Sequence, residues 1–276
     1  MTMLTSAESN RGILPAEYSQ LITDPVTESA LAFDDRVART VRTAGKEFRI
    51  PILVEDAAAA WTREGEEISP TEPVLDEITV SPSKVAGLTI ISRELAEDTS
   101  PAAAELVGAS LARAITLQVD RGFLGDLAAP AAKGLDSLDD VTVVEGALDS
   151  LDVVHEAKAA AAAEGGSASV ILANPADVLS LALLKDESGS NRALVESTST
   201  IAGLPVISSR HVAAGKLWVL DREQIVTVLR EDVELATSTD SHFTSDRIAI
   251  RATMRIGFAF PRPASRVRVD LPTAGA

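Results

Sequence analysis

The sequence has no cysteine. Disulfides, thiolate metal sites and cysteine nucleophiles are therefore excluded. Aromatic residues make up only 3% of the chain, too few for the stacking platforms that bind single-stranded nucleic acid. Cations are outnumbered: 25 Lys and Arg stand against 41 Asp and Glu, a formal net charge of −16. Holding nucleic acid by its phosphates needs clustered Lys and Arg, so no specific nucleic-acid binding is expected. No apolar run approaches the ~20 residues that span a bilayer. Met1 to Gln20 lacks the basic start and apolar run of a signal peptide. The expected product is soluble, made in the cytoplasm and not associated with a membrane.

Motifs for catalysis are missing as well. The three histidines, His155, His211 and His242, show no metal-ligand spacing. Gly165-Gly166-Ser167-Ala168-Ser169 lacks the final glycine of a nucleophile elbow. There is no Walker loop and no G-x-G-x-x-G. Acid pairs such as Glu66-Glu67 and Asp139-Asp140 are sequence neighbours, whose side chains diverge, so they read as solvated surface. No catalytic residue, metal ligand or cofactor is expected.

What is present is enough apolar residue, 46% of 276, for a substantial core. Met1 to Thr23 has no apolar period and reads as an arm. Asp24-Pro25 is a helix-start signal. Val26, Ala30, Phe33, Val37 and Val41 then step at three and four, which predicts a helix closing at Gly45. Lys46 to Val54 alternates like a strand. Glu55 to Glu77 is acidic and contains prolines. Strand patterns resume at Ile78 to Val80 and Val85 to Ile91, so the whole predicts a long hairpin with a mobile acidic tip. A short helix is expected at Ser92 to Glu97. A helix of about six turns follows Ser100-Pro101, ending at Gly125 and Pro130.

From about Leu135 helices and strands alternate. Leu148 to Ala163 predicts a helix, Ser169 to Ala173 a buried strand, and Asn174-Pro175 a capped helix with Asp177 in its first turn. Strands are predicted at Leu204 to Ser208, Leu217 to Leu220 and Ile225 to Leu229. Alternation at Ile248, Ile250, Ile256, Phe258 and Phe260 predicts late strands, and Val267 to Leu271 a final one.

Several runs in this order resemble the major capsid proteins of tailed bacteriophages, whose shell fold is called the Hong Kong 97 type. They are Trp61-Thr62-Arg63-Glu64-Gly65-Glu66-Glu67-Ile68-Ser69, the run Thr89 to Asp98, Ala173-Asn174-Pro175, Leu184-Lys185-Asp186, Gly203-Leu204-Pro205-Val206, Leu217 to Asp221, and Arg255-Ile256-Gly257-Phe258 followed by Pro263-Ala264. The resemblance spans about Ala30 to Leu271. It implies an α+β shell fold with an N-terminal arm at 1–28 and an extended β-hairpin loop at 46–83. A peripheral domain with a long spine helix takes 29–45, 84–135 and 236–276. An axial α/β domain takes 136–235.

The function implied is that of a structural protein, not an enzyme. It would self-assemble as hexamers and pentamers into the icosahedral head shell around double-stranded DNA. It would be made in the host bacterial cytoplasm and end in the virion. Implied partners are further copies of the chain and a portal protein, with room for separate scaffolding and decoration proteins. Intersubunit contact candidates are Trp61, Arg63, Glu64, Glu66 and Glu67. A large aromatic such as Trp61 in a polar loop is costly unless it meets a partner.

Some members of the family join a hairpin lysine to an asparagine of another subunit, helped by a glutamate. Those residues do not carry over. Glu55 to Glu77 holds no lysine, Asp246 stands where the asparagine would be, and Thr253 stands where the glutamate would be. The expected shell is held without covalent cross-links. The arm begins almost at Met1, so no fused scaffolding segment is expected ahead of it. Two alternatives stay open: an encapsulin-like nanocompartment with the same fold and an enzyme cargo, and a non-shell α+β protein. The nanocompartment type usually begins with a cargo-docking helix, where Met1 to Thr23 reads as an arm.

Overall fold

Alternating apolar residues near the C-terminus set up the first layer. The computed structural model describes residues 30–65, 67–68, 70–93, 101–187, 190–195, 197–262 and 266–272. Strand β11 (Arg247–Ala259) buries Ile248, Ile250, Ala252, Met254, Ile256 and Phe258 along one side. Its long partner β10 (Val226–His242) runs antiparallel to it. β4 (Ser83–Ser92) pairs with the other edge of β11, and β1 (Arg39–Arg42) lies parallel to β10. The sheet order is β1-β10-β11-β4.

The spine helix α1 (Pro101–Leu124) covers one face of this sheet with Leu111, Ile115, Val119 and Phe123. Phe123 meets Phe258 edge-on, ring centroids 5.3 Å apart, a favoured aromatic geometry. Gly87 on β4 lets Leu111 close in, since a Cβ there would sit 3.2 Å from the leucine Cδ2.

The second layer is a six-stranded sheet in the order β5-β12-β9-β6-β8-β7. Its strands are β5 (Thr142–Glu145), β6 (Val170–Ala173), β7 (Thr200–Ile201), β8 (Leu204–Ser208), β9 (Lys216–Leu220) and β12 (Arg266–Asp270). All of β6 is buried, as a strand covered on both faces must be. Ile171, Leu217 and Val219 point to one side, where α2 (Asp152–Ala163) supplies Val153, Val154 and Ala157. Leu172, Trp218 and Leu220 point to the other side, into the core shared with α1. Pleating thus divides one short sheet between two cores. α3 (Pro175–Leu183) follows β6, with the Asn174 side chain accepting from the Ala176 N–H as an N-cap.

The predicted hairpin is present, but its return strand starts at Val74, inside the stretch read as tip, and Val85 to Ile91, read as its continuation, lie in β4 of the four-stranded sheet. β2 (Phe48–Glu55) and β3 (Val74–Val80) form a two-stranded antiparallel sheet. Only its base is anchored, through Phe48, Ile50, Ile78 and Val80 against Val226, Val228 and Ala259.

Three expectations are corrected. The helix expected to close at Gly45 is, over its described residues, a 3-10 turn (Leu31–Phe33) followed by strand β1. The open edge of β10 needs backbone partners, and Arg39 N–H and Thr43 N–H donate to Ile225 and Leu229 carbonyls at 2.9 Å each. The helix expected from Leu148 starts at Asp152, with Leu148 and Leu151 packing from the preceding turn. The strand expected to end at Leu229 continues to His242. Glu231, Asp232 and Glu234 hid it, yet they lie where the ladder shifts register, and ion pairs to Arg255 (2.9 Å) and Arg42 (3.1 Å) hold Glu231 and Asp232. The helix expected at Ser92 to Glu97 falls mostly outside the described residues, and Ser92 itself ends β4.

Gly134 sits against the C-terminal carbonyls of the spine helix. A Cβ there would collide with the carbonyl oxygens of Gly122, Phe123 and Gly125. Gly134→Ala is expected to cost about 3 kcal/mol in chemical denaturation, because backbone must move. Gly165→Ala, at φ +77 with open space around it, should cost only about 1 kcal/mol for the left-handed conformation.

Candidate intersubunit surfaces

Among its described residues, the hairpin tip (56–73) buries no side chain. Trp61 is fully exposed, Ile68 is 75% exposed and Leu75 is 69% exposed. Arg63, Glu64 and Glu67 are exposed beside them, and Glu66 lies outside the described residues. The tip keeps its shape through local devices: Gly65 at φ +82, and the Thr71 hydroxyl donating to the Ala58 carbonyl at 2.9 Å. Arg49 and Glu77 pair across the strands at 3.0 Å. The large apolar side chains Trp61, Ile68 and Leu75 face water.

A second surface lies on the sheet face turned away from the spine helix. Strand periodicity sends Lys84, Leu88 and Ile90 of β4 outward, and Arg247, Arg251 and Arg255 of β11 onto the same face. Leu88 is 64% exposed and pairs across the strands with Arg251. Arg255 is held by Glu231, whereas Arg247 and Arg251 make no ion pair among the described residues. The result is an apolar strip flanked by two unneutralised guanidinium groups, in a chain of net charge −16. Sequence reading missed it; the signal was Arg at every fourth position of a strand, which keeps all three on one face.

Asp246 and Thr253 border this face. Asp246 enters β11 at φ +48, and its carboxylate forms an ion pair with the Arg93 guanidinium, Nε and Oδ1 lying 2.7 Å apart. Its carbonyl also accepts the Arg93 N–H at 3.1 Å. Thr253 lies opposite Glu234 and Ala86 in the sheet. Lys84, the lysine nearest the hairpin's far side in sequence, is on β4 opposite Arg255.

A third surface is α3. Asp177 and Leu181 face inward, and the Asp177 carboxylate accepts the Gly215 N–H at 3.0 Å. Burial pushes the Asp177 carboxyl up from its ordinary range, against that hydrogen bond. The opposite face shows Leu179 and Leu183, the latter 62% exposed. No group of three or more His, Cys, Asp or Glu among the described residues is placed to hold a metal. No described helix is long and apolar enough to cross a membrane.

With this fold and these surfaces, the chain can be compared with known proteins. The profile described as the Phage capsid family matches residues 13–270. The chain belongs to the phage capsid family. A curated relative, the capsid polyprotein of Pseudomonas phage PAJU2, is 25% identical over 216 residues, covering 72% of this chain and 32% of that protein. The chain thus spans about a third of the length of that relative.

Solved structures share the fold at low identity. The capsid of a native GTA particle matches at TM-score 0.68 and 18% identity, covering 99% of this chain and 96% of that one. A chain from Mycobacterium phage Bobi matches at TM-score 0.71 and 17% identity, covering 99% and 96%. One from Mycobacterium phage Adephagia matches at 0.72 and 15%, covering 90% and 91%. The expected α+β capsid fold therefore holds for this member of the family.

The two tryptophans allow a direct test of exposure, because Trp218 is buried and Trp61 is not. In the free subunit an ionic quencher should reach one of the two. Trp61→Ala should remove the quenchable emission and change folding stability by no more than about 0.5 kcal/mol.

Proposed function

We propose that this chain is the major capsid protein of a tailed phage, and that copies of it close into the icosahedral head shell around double-stranded DNA. The observation that carries this is the family match over nearly the whole chain. The exposed hairpin supports it, since such an element gains from burial only between subunits. On this reading the protein is structural rather than enzymatic. Residues 1–28 are the arm and 46–83 the extended hairpin. The peripheral domain is built on the four-stranded sheet and the spine helix, and the axial domain on the six-stranded sheet.

The proposed bounds follow sheet membership. The division at 235/236 falls inside β10, so residues 226–242 go with the peripheral sheet. β12 (266–270) goes with the axial sheet. The exposed face of α3 lies in the axial domain, where copies meet around fivefold and sixfold axes. Portal, scaffolding and decoration proteins are further partners, and assembly takes place in the host bacterial cytoplasm. Nothing specific favours the nanocompartment reading.

Trp61, Arg63, Glu64, Glu66 and Glu67 are the hairpin's contact residues on this reading. Their acidic and apolar character complements the Leu88, Ile90, Arg247 and Arg251 face of a neighbour. Complementary charge sets register and encounter rate more than affinity, while the desolvated aromatic supplies affinity. Many modest contacts on a closed lattice then sum to a stable shell.

Trp61→Ala should leave a folded subunit that assembles poorly. A loss of about 2 kcal/mol per contact would raise the concentration needed for assembly roughly thirtyfold. Light scattering and negative-stain microscopy read this out, and normal shells from the variant would refute the hairpin's role. Arg251→Glu should slow assembly, with a smaller difference at high salt.

The shell is held without covalent cross-links. Asp246 offers a carboxylate already engaged by Arg93, and a hydroxyl such as that of Thr253 is no general base. Boiled mature particles should run as one band at the size of a single subunit in denaturing gels. A ladder of oligomers would contradict this.

A further inference from the structure

The chain enters the described body at residues 30–33, and two polar contacts fasten it there. The Leu31 N–H donates to Asp120 Oδ1 on the spine helix at 2.8 Å. The Thr227 hydroxyl on β10 donates to the Ala32 carbonyl at 2.6 Å. Ala30, Leu31 and Ala32 are buried around them. Asp120 is only 4% exposed and sits among apolar residues of the core. It also borders an open cavity of about 460 Å³ between the spine helix and the turn after β8, which gives protons a route to it.

We propose that Asp120 is a pH-sensitive latch: protonated, it grips residues 30–33 against the spine helix, and ionised, it loosens them. A carboxylate in this position has one N–H donor and little water, so its charge is poorly compensated, whereas the neutral acid keeps the same hydrogen bond without that cost. Burial pushes the Asp120 carboxyl up to about 6, and the Leu31 hydrogen bond opposes the shift only in part.

The charged groups around it do not take over the role. Arg113 of the spine helix, Arg210 and His211 share the cavity wall, and Arg121 follows Asp120 in sequence. Asp34 and Arg36, beyond the 3-10 turn, neutralise each other at 2.6 Å. β10 presents only the neutral Thr227. Burial, then Arg210 and Arg121, hold the His211 imidazole below its ordinary value.

The sign follows from the raised value. Between the ordinary carboxyl value of 3.8 and about 6, the gripped state binds more protons than the released state. The grip is therefore full at low pH and weakens as pH rises through that window. Over pH 5 to 7 the release equilibrium should shift by up to about tenfold.

Amide exchange on the full chain, corrected for intrinsic rates, tests this whether or not the shell reading holds. Protection at Leu31, Phe33 and Asp34 should fall by up to about tenfold from pH 5 to 7, while protection in α2 stays level. Asp120→Asn keeps the acceptor oxygen and should abolish the pH dependence. His211→Gln should leave it intact. A flat wild-type profile, an Asn variant with the wild-type slope, or loss of the slope in His211→Gln would each overturn the latch.

Discussion

The β10–β11 ribbon is the constraint on which the other elements depend. Two long antiparallel strands pair over most of their length, and each of their edges and faces recruits something. The free edge of β10 turns residues 39–42 into a strand. The free edge of β11 takes β4. The inner face carries the spine helix, and the far end of the ribbon holds the hairpin base through Val226, Val228 and Ala259. A sheet edge with unpaired backbone groups and an apolar face cannot remain bare. The ribbon therefore dictates where its neighbours lie more than their own propensities do.

The outer face of the same ribbon is left open, and so is the hairpin. The two exposures are complementary in kind: acidic and apolar on the tip, basic and apolar on the sheet. Such surfaces are unfavourable in an isolated subunit, where apolar side chains such as Trp61 and Leu88 face water. In a closed assembly each subunit would present both halves, so every copy could satisfy one neighbour and be satisfied by another. Such an arrangement would be heterologous, and a heterologous contact grows without limit unless the assembly closes.

Much of this was legible beforehand. The spine helix was set by its three-and-four apolar spacing, and β6 by an uninterrupted apolar run bounded by turn residues. The α3 start was set by Asn174-Pro175, and the hairpin by two strand patterns enclosing a stretch too polar to be core. Trp61, Arg63, Glu64 and Glu67 are exposed in the hairpin tip. The basic row Arg247, Arg251 and Arg255 was not recognised. Its meaning depends on β4 supplying Leu88 and Ile90 alongside it, from a segment more than a hundred residues away.

Local patterns by themselves determined element types wherever one period was unambiguous, together with the absence of cysteine chemistry and the acidic surface. The spacing of Val26, Ala30, Phe33, Val37 and Val41 fitted a helix on paper, yet Leu31–Phe33 form a 3-10 turn and the unpaired edge of β10 draws Arg39–Arg42 into a strand. The length of β10 rested on Arg255 and Arg42 neutralising its acids. The placing of β12 in the six-stranded sheet rested on β5 and β9 accepting it on either side. Asp120 carries no local signal in the sequence, and its burial comes from the chain at Leu31 folding over it. Periodicity is a property of neighbours in sequence, whereas strand partners, ion pairs and burial are set by residues brought close only when the chain has folded.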